Sequence, residues 1–247
     1  MSDRVESGYA AGLLILTAAT GALDAVSYLA LDRVFTGNMT GNVLFVAFGL
    51  VGVEGIPVVN NLVALLTFAL GAALGSRLTR SASGPVRLPL RALLIVLVDT
   101  VAVLVLALVW LALGEISRPT MIVLTGLLAL LLGAQAAAVR HIGLRDLSTV
   151  VVTMTLVNLA ADSRLAGGAA VAWSRRIGAL LTMGLGALAS AVVVHHLGGP
   201  YALLLAGVVM AVAAAVLGRA RGRDAQLALG RAADTVSSPA STPADRS

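Results

Sequence analysis

Thr36-Gly37-Asn38-Met39-Thr40-Gly41-Asn42 is the stretch whose reading decides the fold. Upstream of it lies a membrane-length apolar segment, 9–31, and downstream only a short apolar run, 43–53. Glycines and side-chain hydrogen bonders are costly against lipid. They are tolerated at membrane depth where protein or water satisfies the loosened backbone. The heptapeptide therefore predicts a broken helix lining a cavity in a polytopic membrane protein.

Composition supports that class. Mean hydropathy is +0.98. Of the 247 residues, 59% are hydrophobic and 12% charged, about half the charge of a soluble domain. Apolar runs exceed the ~18 residues that suggest a spanning helix, most cleanly at 90–113. A cleaved signal peptide is not expected, because the first apolar segment is long and more spans follow. Cysteine is absent, so disulfides and thiolate metal sites are excluded. No phosphate-binding glycine loop and no zinc-binding HExxH motif occurs, so neither cofactor nor metal is expected. His195 and His196, before Gly198-Gly199-Pro200, read as a solvated turn.

The pI near 10.9 does not point to nucleic acid. All 17 basic residues are arginine, clustered between apolar segments, as topology signals beside anionic headgroups are.

The fold expected is an all-α membrane protein with six transmembrane helices plus two short half-helices, re-entrant or broken. The long segments are 9–31, 57–76, 90–113, 119–139, 174–194 and 200–218; the short ones are 43–53 and 149–161. The chain divides into a terminus over 1–8, a first repeat over 9–113, a second over 114–219, and a polar tail over 220–247 that reads as disordered. The repeat rests on matches at one offset. Ala64-Leu65-Leu66-Thr67 recurs as Ala179-Leu180-Leu181-Thr182, Leu70-Gly71-Ala72 as Leu185-Gly186-Ala187, and Met39-Thr40 as Met154-Thr155.

Arginines orient the segments. With six crossings and a cytoplasmic N-terminus, 15 arginines fall inside and only Arg33 and Arg118 outside. Eight crossings would give 10 against 7. The positive-inside rule favours six, with both termini cytoplasmic. Three crossings per half make the repeat inverted, an architecture of transporters whose interrupted helices meet near the midplane.

Asp24 lies about 10 Å deep in the first span and Asp99 about 12 Å into the third. A lone carboxylate at such depth costs about 2.5–3.5 kcal/mol and usually marks function. Both are candidates for proton exchange or cation binding; the bland alternative is a hydrogen-bonded acid that glues helices together. Gln135 stands near the second-half position matching Asp24. Thr36, Asn38, Thr40 and Asn42 are candidate solute ligands, since an unwound stretch exposes amides and carbonyls. A half-helix starting near Asn42 would favour an anionic group. The bland alternative is a hydrogen-bonded cap with tight packing at Gly37 and Gly41. Thr153, Thr155 and Asn158 echo this pattern more weakly. Gly71 with Gly75, and Gly186 with Ser190, read as close helix packing. Trp110 and Trp173 read as interfacial anchors.

Gly21-Ala22-Leu23-Asp24-Ala25-Val26-Ser27-Tyr28, followed by Val34-Phe35 and the heptapeptide, resembles the signature of the YoaK-like (DUF1275 / UPF0700) family of bacterial integral membrane proteins of unknown function. Gly133-Ala134-Gln135-Ala136-Ala137, Thr153-Met154-Thr155-Leu156 and Asp99-Thr100 are similar to it too. The resemblance covers roughly 9–220. It implies a bacterial inner-membrane location and supplies no substrate.

Two functions stay open. One is a secondary transporter or channel for a small polar or anionic solute, coupled to protons through Asp24 and Asp99. The other is a non-transporting structural or regulatory membrane partner. An intramembrane enzyme is not expected, because no nucleophile–base pair stands out. The partners expected are the lipid bilayer, a small solute, a proton or cation, and a second copy of the chain.

Overall fold

The computed structural model describes residues 3–80, 86–143, 152–163 and 173–237. They form α1 (Asp3–Ala30), α2 (Met39–Leu50), α3 (Val58–Thr79), α4 (Leu90–Leu113), α5 (Arg118–Val139), α6 (Val152–Ala161), α7 (Trp173–Leu197) and α8 (Gly199–Ser237), with a 3-10 turn at Arg140–Ile142. Among the described residues, six helices are long and apolar enough to cross a membrane. The two short ones are not: α2 has 12 residues and α6 has 10, or about 18 and 15 Å against a hydrocarbon core of about 30 Å. The described residues are thus all-α, with six candidate spans plus two short helices, as the sequence predicts.

Local signals set the ends. Pro89 precedes α4, and Gly114 at φ 68 closes it with an N–H donated to the Trp110 carbonyl. Ser117 caps α5 by accepting from the Thr120 amide, with Pro119 in the first turn. The four-residue connection makes α4 and α5 an antiparallel hairpin.

Close contacts fix how the helices run. On α1 and α7, Leu14 faces Gly178, Ala18 faces Gly186 and Gly21 faces Met183. The Leu14–Gly178 contact lies nearer the start of both helices than the Ala18–Gly186 and Gly21–Met183 contacts, so these helices are parallel. On α3 and α5, Val63 faces Gly126, Gly71 faces Leu130 and Gly75 faces Ala134, so they too are parallel. Gly8 against Ala220 and Gly12 against Leu217 make α8 antiparallel to α1. Leu104 at Gly207 and Leu93 at Gly218 make it antiparallel to α4. A Cβ on Gly71 would strike the Leu130 carbonyl oxygen; one on Gly186 would strike that of Ala18. The small residues are therefore helix contacts, as expected. The core runs along α1 and α8, with Leu16, Leu23, Leu203, Met210 and Leu217 fully buried. Leucines and valines on the outer faces of α3, α4 and α7 are exposed, as lipid-facing residues are.

Some expectations change. The tail from residue 220 is not structureless up to Ser237, because α8 continues through it as 39 residues of helix. Asp224 ties that extension down. It accepts from the Tyr9 hydroxyl at 3.2 Å and from the Arg87 amide at 2.9 Å. Trp110 is buried, its ring against Gly199 at the start of α8, so it packs helices instead of anchoring an interface; Trp173 is exposed. Residues 149–151 of the second short segment, Arg145, Arg164 and 238–247 lie outside the described residues.

Candidate functional site

The chain leaves α1 at Ala30 and turns through Asp32 and Arg33, both left-handed at φ 71 and 56. Two consecutive non-glycine residues in that region signal a backbone held by its surroundings. The turn sends the chain back down α1. Asp24, six residues or about 9 Å below the end of α1, accepts two backbone hydrogen bonds with Oδ1. The Thr36 amide donates at 3.0 Å and the Gly37 amide at 2.7 Å. Gly37 also sits against Thr20, where a Cβ would approach its methyl group. Thr36 and Gly37, at the start of the heptapeptide, thus return to the level of Thr20–Asp24 before α2 begins at Met39. The expected interruption of the helix is present.

Asn42 holds the same loop from the other side. Its Oδ1 accepts from the Phe35 amide at 2.9 Å, and its Nδ2 donates to the Phe35 carbonyl at 2.6 Å. Thr36 is buried, with its hydroxyl 3.4 Å from that of Ser27. Asn60, from the start of α3, donates to the Leu31 carbonyl at 3.0 Å. Tyr28, Phe35 and Phe45 stack beside the loop, with centroids 5.0 and 6.0 Å apart for Tyr28–Phe35 and Phe35–Phe45.

A pocket of 430 Å³ opens between this loop, α1 and α7. Asp24, Asn38, Tyr28, Phe35, Met183 and Gly184 are among its lining residues. It is apolar apart from the Asp24 carboxylate, the Asn38 amide and the Tyr28 hydroxyl. Asp24 is 5% exposed, and its Oδ2 has no hydrogen-bond partner among the described residues. Asn38 precedes α2 without capping it, so its amide remains at the pocket.

The candidate residues do not form one site. Asp24, Thr36, Asn38 and Asn42 come together. Thr40 is exposed on the first turn of α2. Asp99 is buried but lines a different pocket, between α3, α4 and α5. Gln135 is buried in α5, its Oε1 without a partner among the described residues. Thr153, Thr155 and Asn158 lie on α6, which docks at the start of α7: Arg176 pairs with Asp162 and donates to the Asn158 carbonyl at 2.9 Å. None of these three lines the Asp24 pocket. The anionic group expected at the start of α2 meets a competitor, since the amides of Thr36 and Gly37 are already occupied by the protein's own carboxylate. Sequence reading missed Asn60, Ser27 and the Tyr9–Asp224 pair. The Asn60-Asn61 doublet in an apolar segment was a usable signal; Asp224 was hidden in a polar stretch.

These features define a polytopic helical membrane protein with a re-entrant loop fixed to a buried carboxylate. Residues 12–216 match the family described as "Protein of unknown function (DUF1275)", and the chain belongs to that family. It is 29% identical over 150 residues to the UPF0700 transmembrane protein YoaK of Bacillus subtilis (strain 168), across 61% of this chain and 64% of that protein. It therefore spans less than two thirds of the length of that curated relative. No solved structure matches it.

Proposed function

We propose that this protein is a secondary transporter or channel for a small polar solute in the bacterial cytoplasmic membrane, with proton or cation exchange at Asp24. One observation carries the reading. The Asp24 carboxylate holds the re-entrant loop with one oxygen, while its other oxygen is buried without a partner beside a pocket. A proton or a cation supplies what that oxygen lacks. The pocket volume of 430 Å³ falls in the small-molecule range of about 300–1,000 Å³. The occupied amides favour a neutral or cationic solute over an anion.

The inverted repeat belongs to this proposal. Gly21 against Met183 has its counterpart in Gly133 against Phe68, and Gly186 against Ala18 in Gly71 against Leu130. The α1–α7 contact thus recurs as α5–α3, while α1 and α5 run in opposite directions. The arginine distribution supports cytoplasmic termini.

The protein is reconstituted in proteoliposomes enclosing a pH-sensitive dye and challenged with polar metabolites and monovalent cations. A solute that stabilises the parent protein and drives flux, with Asp24→Asn abolishing flux while remaining inserted and folded, supports transport. The second reading, a partner protein without flux, has its own observation, because the Asp24–loop bonds also serve as a staple. It gains if nothing in the library moves and Asp24→Asn only lowers the melting temperature.

A further inference from the structure

We propose that the crevice between α3, α4 and α5 is a second ligand site, built for a lipophilic organic cation with Asp99 as its counter-charge. The crevice encloses 480 Å³ and is lined by Leu74, Leu78, Leu94, Val98, Leu130 and Asp99, among others. Asp99 is 3% exposed. Its Oδ2 has no hydrogen-bond partner among the described residues. The neighbouring hydroxyl does not serve it, because Thr100 donates back to the Val96 carbonyl at 2.7 Å.

Among the described residues, the only basic one lining the crevice is Arg91. It stands eight residues toward the start of α4, about 12 Å along the helix. It is exposed there, with its guanidinium 3.5 Å from the Leu78 carbonyl at the end of α3. Asp99 therefore has a cavity beside it and, among the described residues, no cationic partner. This differs from Asp24, whose carboxylate already holds two backbone amides.

The walls select the ligand's body. Leu74, Leu78, Leu94 and Val98 are exposed on faces that meet lipid, so the crevice opens sideways toward the acyl chains. A ligand entering there must be soluble in hydrocarbon. The end of the crevice selects the ligand's charge, because an isolated carboxylate in apolar surroundings is costly and an arriving cation relieves that cost. A cation whose charge is spread within a large apolar body meets both requirements. A small hydrated ion would have to shed its water against leucines, and a lipid tail would leave the carboxylate unmatched.

Tetraphenylphosphonium and tetraphenylborate test this, being close in size and shape and opposite in charge. Binding of each to the full-length protein in nanodiscs is measured by equilibrium dialysis against empty nanodiscs. The expected result is saturable binding of tetraphenylphosphonium alone. Asp99→Asn should weaken it by about tenfold or more. Leu94→Trp, which fills the crevice and spares the acid, should weaken it too. Asp99→Glu and Asp24→Asn should retain it. Equal retention of both probes would overturn the proposal and leave a greasy cleft indifferent to charge. So would Asp99→Asn binding like the parent. The comparison of the two probes on the parent protein decides the matter even if a variant does not fold.

Discussion

At the scale of single residues, Asp24 does the work of a capping group for a stretch that is not yet a helix. Charge-assisted hydrogen bonds contribute about 1.5–3 kcal/mol each, and Oδ1 accepts two. Asp24→Leu should therefore cost about 3–5 kcal/mol in thermal or denaturant unfolding. Asp24→Asn keeps an acceptor oxygen and should cost about 1–2 kcal/mol. Asn42→Ala leaves the Phe35 amide and carbonyl without their partners and should cost about 1–3 kcal/mol. If Asn42→Ala unfolds like the parent, Asn42 does not hold the loop. The importance of Asp24 and Asn42 was legible because polar groups stood where lipid was expected. Their pairing was not, because it depends on the left-handed turn at Asp32 and Arg33, which no glycine announces. The expectation of an anionic group came from the positive end of the short helix, and the sequence does not show that the Thr36 and Gly37 amides just before it are taken by Asp24.

At the scale of helices, the fold is held by two parallel crossings in which glycine lets backbones touch. Adding side chains there forces separation, at a typical cost of about 1–3 kcal/mol. Gly186→Val should lower stability by about that amount, and Gly71→Val should do so independently, since the sites lie in different helix pairs. A double variant whose loss departs from the sum would mean the two crossings communicate. The six long segments were legible from hydropathy alone, and the short ones from their length. The end of α8 was not. Arg219, Arg221, Arg223 and Asp224 look like a solvated tail until Tyr9 and the Arg87 amide are seen to meet Asp224. Long-range contacts of that kind leave no periodic trace.

At the scale of the molecule, the absence of cysteine makes topology directly measurable. Single-cysteine variants Arg80→Cys, at the end of α3, and Glu54→Cys, between α2 and α3, sit in exposed segments at opposite ends of α3. An impermeant maleimide added to intact cells should label Glu54→Cys and not Arg80→Cys. The reverse pattern would invert the orientation, and labelling of both would contradict a single crossing by α3.

The length of α8 carries one more implication. At ~1.5 Å per residue, 39 residues extend about 58 Å, while the hydrocarbon core takes up about 30 Å. The helix is therefore a lever longer than one crossing, with one arm in the bilayer and one arm beyond it. Asp224, gripped by Tyr9 and by the backbone before α4, is its fulcrum. Any tilt of α8 against α1 and α4 is magnified at the distal arm, where Leu229 stands exposed. A rearrangement too small to see among packed leucines would be readable there, as the sweep of a pointer.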